Sequence, residues 1–268
     1  MNSPHLANVI EQMKARRYRE ALGMLREFIA HDPSYWNAWY LAGQCCRFLG
    51  DLDGAIKFLS KASTLKEDEP PIFLALGIAF QLKESWDDAL EAFRRAIELD
   101  NDYELAYNSL ALTQKKCGSL DFALHNYDAG VKALGRRIVK AMRNSRSSPI
   151  FKHKDTTGLL WVEYAIYAAL YRATTDVGIE KLTWLTGDQA NQEERNEFHA
   201  GLYWVDTPGE DDERTRLLLP NYFNSFREEL KQGAAYSNFI GNRGTVLELL
   251  GRKNEAQLHF REAEEFSP

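Results

Sequence analysis

The sequence is short of the features that mark several protein classes. Its 268 residues contain three cysteines, of which Cys45 and Cys46 are adjacent and Cys117 stands alone. These spacings provide neither a disulfide framework nor a zinc-ligand pattern. No apolar run is long enough to span a membrane, and the N-terminus lacks the apolar core of a signal peptide. We therefore expect a cytoplasmic protein in which Cys45 and Cys46 are buried structural thiols rather than a redox pair.

Catalytic signatures are also missing. The sequence has no glycine-rich phosphate loop, no His-Glu-x-x-His motif and no Gly-x-Ser-x-Gly motif. The nearest constellation is Glu193, Glu194, Glu197 and His199, but Glu194 and His199 are five residues apart and align poorly on one helix face. We predict a protein that is not an enzyme, with no catalytic residue, no metal, no cofactor and no small-molecule substrate.

The charge of the chain disfavours two kinds of partner. A net charge of -6 opposes nonspecific adhesion to nucleic acid or to an anionic membrane. Residues 136–154 are a local exception, with seven Lys or Arg and no acid, and Arg136, Lys140 and Arg143 share one helical face. This basic patch would suit a phosphate or an acidic partner, or would be the solvated end of a helix. Because the segment lacks interleaved aromatic residues, we predict no nucleic-acid partner. The net charge and the lack of a long apolar run predict no membrane partner.

What the sequence does contain is a 34-residue repeat, most complete from Trp36 to Glu69. Steps of 34 residues join four alanines, Ala21, Ala55, Ala89 and Ala123. The eighth position of each repeat is small or Val, and the fifteenth is glycine in two of the four. Small residues at a fixed position suit close contact between two helices. A period of 34 therefore predicts paired amphipathic helices stacked as a solenoid.

The repeat resembles the tetratricopeptide repeat (TPR), a unit of two helices. The second copy keeps the family residues Trp39, Gly43, Ala55, Leu59 and Ala62. The third keeps Phe73, Leu76, Gly77, Phe80, Ala89, Phe93 and Ala96. The first and fourth copies are more degenerate, as terminal units often are. The resemblance implies an all-α fold, a right-handed superhelical solenoid of helix-turn-helix repeats, here with a helical insert and a C-terminal TPR-like cap.

Four repeat units are predicted at residues 2–35, 36–69, 70–103 and 104–137. The second helix of the fourth unit meets no stop signal before residues 145–149, so we expect it to overrun the unit. Residues 138–236 lose the period and are predicted to be a non-repeat helical insert. The pattern returns in a degenerate repeat at 237–268, where Arg243 replaces the usual leucine.

The family resemblance also implies a concave face lined by residues two, five, nine, twelve and thirteen of each repeat. More than half of these residues are apolar or aromatic here, whereas a merely solvated face should be polar. We predict a groove that binds another protein, as a peptide or a helix. Its residues are Leu6, Ile10, Met13, Tyr40, Gln44, Arg47, Phe48, Leu74, Ile78, Leu82, Asn108, Leu112 and Lys115.

The functional hypothesis is a non-enzymatic scaffold or adaptor. One alternative is a regulatory sensor whose C-terminal helices occlude the groove until they are displaced, and another is a chaperone of secreted substrates. A third is an enzyme built within residues 155–231. Docking of chaperone C-termini is not supported, because the positions of the family's carboxylate clamp are occupied by Leu6, Ile10, Leu41, Pro71 and Ala75.

Overall fold

The computed structural model describes residues 4–144, 235–265 and 267, and all regular structure in this part is α-helical. The first seven helices are α1 (Pro4–Lys14), α2 (Tyr18–His31), α3 (Trp36–Phe48), α4 (Leu52–Leu65), α5 (Pro70–Leu82), α6 (Trp86–Leu99) and α7 (Glu104–Lys116). The last three are α8 (Leu120–Asn144), α9 (Ala235–Leu249) and α10 (Lys253–Glu265). The chain divides into two compact units, an N-terminal unit of α1–α7 and a C-terminal unit of α8–α10. The predicted all-α class is confirmed.

The turn inside each helix pair uses one backbone conformation at the fifteenth repeat position. Gly50, Gly118 and Gly251 have φ values of 81°, 78° and 78°, in the left-handed region. Arg16 and Glu84 occupy the same position in the first and third repeats and have φ values of 58° and 61°. Only glycine adopts this conformation without a steric cost, so two of the five turns carry some strain.

Close contact within the pairs α3–α4 and α5–α6 depends on the glycine at the eighth position. A Cβ atom on Gly43 would overlap Leu59 of α4, and one on Gly77 would overlap the ring of Phe93 of α6. Leu59 and Phe93 are fully buried, and each is the large residue at position 24 of its repeat. The predicted role of small residues at helix contacts is confirmed at these pairs.

The helix pair α9–α10 repeats this construction. The side chain at position 24, Phe260, fills the space above Gly244, and Gly251 forms the turn. On its other side α9 packs against α8, where the ring of Phe239 occupies the space that a Cβ of Gly130 would need. Sequence distance between α8 and α9 is thus no barrier to their packing.

The helix α8 runs past residue 137 to Asn144, which confirms the predicted overrun. Residues 145–234, and with them most of the predicted insert and the group from Glu193 to His199, lie outside the described residues. The repeat boundaries at 2–35, 36–69, 70–103, 104–137 and 237–268 stay predictions. None of the helices described here combines the length and apolar character that a membrane span requires.

Candidate partner-binding groove

The first helices of successive repeats lie side by side in the N-terminal unit. The helix α3 contacts α5, and α5 contacts α7. A hydrogen bond of 2.7 Å from Gln81 Nε2 to Thr113 Oγ1 connects α5 with α7. Residues at equal repeat positions on these helices therefore form rows that cross from one helix to the next.

Most of the predicted groove residues are accessible. Ile10, Phe48 and Leu82 are 42%, 51% and 52% exposed. The half-buried residues are Met13, Tyr40, Gln44, Arg47, Ile78, Asn108, Leu112 and Lys115. We call these eleven residues the groove face. Leu105, which occupies the second position of the fourth repeat and is 47% exposed, extends it.

Two predicted groove residues have a different environment. Leu6 is 4% exposed and belongs to the hydrophobic core of the first repeats. Leu74 is 9% exposed and clusters with Ala106 and Leu110 of α7. Leu74 is covered because α7 packs against α5, which the repeat position alone does not reveal. Leu6 and Leu74 are therefore not part of the groove face.

A set of contacting side chains occupies the groove face at the end of α3. Gln44 Nε2 donates to Tyr40 Oη at 3.1 Å, and Gln44 Oε1 accepts from Arg47 Nε and Nη2 at 3.0 and 2.9 Å. The Arg47 guanidinium lies 4.1 Å from the centre of the Phe48 ring. That ring stacks on Tyr18, with centroids 4.6 Å apart and an interplanar angle of 11°. We call these five residues the Arg47 cluster.

The environment of Arg47 lowers the pKa of its guanidinium but leaves it charged. Burial lowers the pKa of the guanidinium, an effect opposed by the phenols of Tyr40 and Tyr18. An arginine remains charged at neutral pH even so. Tyr18 is a residue that the repeat positions do not indicate, because it comes from the start of α2 rather than from a first helix.

The charges at groove positions are all of one sign. Five positions in each of four repeats make 20, and these contain four cations, Lys14, Arg47, Lys115 and Lys116, and no acid. Lys14 Nζ bonds to Glu11 Oε1 at 2.8 Å. Within the described residues, Arg47, Lys115 and Lys116 have no carboxylate at ion-pair distance. Burial and the neighbouring Lys116 lower the pKa of Lys115.

Other candidate groups offer less chemistry. Cys45 and Cys46 are fully buried; burial, followed by the neighbouring Cys46, raises the pKa of Cys45 to about 12. Burial also raises the pKa of Cys46 to about 11, so thiolate formation is suppressed at both sites.

Among the residues described, no group of three or more His, Cys, Asp or Glu could hold a metal ion. The predicted patch of Arg136, Lys140 and Arg143 lies in the last turns of α8, where the side chains fall outside the described part.

Comparison with known proteins identifies relatives of the repeats. A family model described as "Tetratricopeptide repeat" matches residues 6–70, and one described as "TPR repeat" matches residues 82–118. The crystal structure of MamA has a TM-score of 0.54 and 14% identity, with 96% of this chain and 92% of that chain covered. The structure of YrrB, described as a TPR protein with an unusual peptide-binding site, has a TM-score of 0.44 and 21% identity, with 74% and 90% covered. No curated protein matches the sequence.

Proposed function

Because residues 6–70 and 82–118 of this chain are tetratricopeptide repeats, we propose that the protein is a non-enzymatic interaction scaffold or adaptor. It holds a segment of another protein, extended or helical, against the groove face. The fold resembles that of MamA, at an identity that supports the fold alone. The assignment of a binding site therefore depends on the surface of this chain.

The observation that carries the proposal is the position of the exposed apolar side chains. Among the described residues, eight large apolar side chains are exposed, and four of them stand at groove positions: Ile10, Phe48, Leu82 and Leu105. Full burial of such a side chain contributes about 1.5–3 kcal/mol. Each is about half exposed, so a partner that covered them would gain roughly 1 kcal/mol from each.

The binding test uses peptides selected from a display library of random dodecamers on the full-length protein. Their affinity is then measured by fluorescence anisotropy for the native protein and for the double variant Phe48→Asp, Leu82→Asp. Loss of two apolar contacts and burial of two carboxylates should weaken binding by tenfold or more. Circular dichroism should show unchanged helix content, since both side chains are half exposed.

Phe122→Asp is the matched control, because Phe122 is 66% exposed and belongs to α8 of the other unit. Its binding should equal that of the native protein. If the selected peptides bind the double variant as tightly as the native protein, the groove face is not the binding site.

In the alternative of a regulatory sensor, saturating peptide would increase amide hydrogen exchange in residues 145–234.

A further inference from the structure

We infer that the segment bound on the groove face is acidic as well as apolar, and that one of its carboxylates binds the guanidinium of Arg47. The inference deepens the function proposed above and depends on it. The partner is a protein segment in which Asp or Glu accompanies the apolar side chains that cover Phe48 and Leu82. A second carboxylate faces the pair Lys115 and Lys116.

Arg47 is presented for a ligand by its own neighbours. A guanidinium has five N–H donors, and Gln44 Oε1 occupies Nε and one position on Nη2. The donors that remain lie on Nη1 and Nη2, the pair that binds a carboxylate through two parallel hydrogen bonds. Contact with Phe48 and the hydrogen bonds to Gln44 limit the rotamers of the side chain. Less conformational entropy is therefore lost when a carboxylate binds.

The charge of Arg47 is incompletely compensated in the N-terminal unit. The side chain is half-buried on α3, and the polar partner within its hydrogen-bond reach is the neutral amide of Gln44. Partial removal of water from a charge is unfavourable, and a carboxylate supplied by the partner would offset that cost. A basic partner would instead add a second charge of the same sign.

The same polarity extends along the groove. The chain as a whole has 39 acidic and 33 basic residues, yet the 20 groove positions contain four cations and no acid. Arg47 and Lys115 both hold the twelfth repeat position, on α3 and α7, with the neutral Gln81 between them on α5. Packed helices lie about 8–10 Å apart, so the two steps from α3 to α5 and from α5 to α7 place Arg47 and Lys115 about 20 Å apart. An extended segment would span that distance with roughly six residues.

Apolar side chains beside these cations favour a protein segment over a polynucleotide. Phe48 and Leu82 stand at the thirteenth position, next to Arg47 and Gln81, and both are about half exposed. The Phe48 ring already has its faces against Tyr18 and the Arg47 guanidinium, so it is not available as a stacking platform for bases. Leucine offers an apolar surface without an aromatic face.

The test uses the dodecamers selected on the native full-length protein, restricted to those whose binding is lost in Phe48→Asp, Leu82→Asp. Asp and Glu should be enriched in these peptides relative to the starting library. Replacement of a peptide Asp with Asn, or of Glu with Gln, should weaken binding about three- to tenfold. This loss of affinity lies between that expected for an exposed ion pair and that expected for a hydrogen bond to a charged group. The difference in affinity between the acidic peptide and its amide form should decrease when NaCl is raised from about 50 to about 500 mM, because salt screens the interaction between charges.

The protein variants assign the effect to its residue. The Arg47→Gln variant should bind the acidic and amide forms of a peptide with similar affinity. In Lys115→Gln, replacement of a carboxylate with an amide at a second position of the peptide should have a smaller effect on affinity than it has in the native protein. Lys57→Gln is the matched control, since Lys57 is exposed on α4, away from the groove positions. It should preserve the full discrimination. Unchanged helix content in circular dichroism establishes that each variant folds.

The possible failures are distinguishable. Selected peptides that require Phe48 and Leu82 but show no acidic enrichment, or lose nothing on amidation, would overturn the acidic partner and leave the groove function intact. Absence of any groove-dependent peptide would contradict the proposed function itself. If a single-stranded DNA dodecamer competed with the peptides and bound only through Arg47 and Lys115, the cations would belong to nucleic-acid binding and the inference would be wrong.

Discussion

Removal of one partner from the ion pair between Asp128 and Arg243 should release α9 from α8. Arg243 Nε donates to Asp128 Oδ1 at 2.5 Å, across 115 residues of sequence. The Arg243 and Asp128 side chains are only 11% and 18% exposed. Arg243 Nη1 also contacts His259 Nε2 on α10, and Tyr236 donates to Glu262 nearby. The ion pair thus belongs to a polar network that joins α8, α9 and α10.

The size of the destabilisation expected in Asp128→Asn depends on the burial of the ion pair. Burial raises the pKa of Asp128 even though Arg243 opposes the shift, so desolvation of the pair consumes most of its attraction. The intact pair adds little net stability, but Asp128→Asn would remove the carboxylate that accepts from Arg243 Nε, while the buried guanidinium keeps its charge. Loss of one partner from a buried pair costs about 3–5 kcal/mol. At about 1.4 kcal/mol per factor of ten, a loss of 3 kcal/mol is roughly a hundredfold change in the opening equilibrium.

Amide hydrogen exchange on the full-length protein measures this opening for α9 and α10 separately from α1–α7. In Asp128→Asn, the amides of α9 should exchange about a hundredfold faster. The double variant Asp128→Leu, Arg243→Leu removes both charges and places leucine where the repeat family usually has it. Its exchange should lie much closer to that of the native protein. An acceleration below about fivefold in Asp128→Asn would contradict this expectation, because the buried guanidinium would then tolerate the loss of the Asp128 carboxylate.

Four further substitutions each change a single position. Gly130→Ala would place a Cβ in the ring of Phe239 and should destabilise the C-terminal unit by about 1–3 kcal/mol, measured by hydrogen exchange in α9. Burial, followed by the adjacent arginine, lowers the pKa of His259 from 6.5 to about 3, so the folded unit favours the neutral ring. This contribution to stability is complete above pH 6.5 and declines as the pH falls toward 3, by about 2 kcal/mol between pH 7 and 5; His259→Gln should remove that slope. Glu84→Gly should raise the free energy of unfolding by up to about 1 kcal/mol in urea titrations, and Gly50→Ala should lower it by about 1 kcal/mol, since both positions have positive φ.

The resemblance to tetratricopeptide repeats was readable from the sequence because it depends on local, periodic signals. Alanines 34 residues apart and glycines at the eighth position specify which faces of two helices meet, and Leu59 and Phe93 pack where that rule requires. The left-handed turn at the fifteenth position was visible only where glycine occupies it. At Arg16 and Glu84 the packing of the helix pair imposes the same conformation on residues that disfavour it.

The composition of the groove face was predictable in outline but not in detail. Repeat position correctly indicated that Phe48 and Leu82 would reach the surface. It did not indicate that Leu74 would be covered by α7, because burial depends on how closely a neighbouring helix approaches. The contact of Phe48 with Tyr18 of α2 was likewise hidden, since it joins residues on different helices at unrelated repeat positions.

The helix pairs, their period and the rows of side chains on each first helix can be read from the sequence alone, since they follow from contacts between residues at most one repeat apart. Which residues meet across long separations depends on how the helices pack in the folded protein. Nothing local at Asp128 or Gly130 predicts Arg243 or Phe239 as a partner more than 100 residues later. Such contacts exist because α9 presents a surface complementary to α8, and complementarity belongs to the folded pair of helices rather than to either sequence segment.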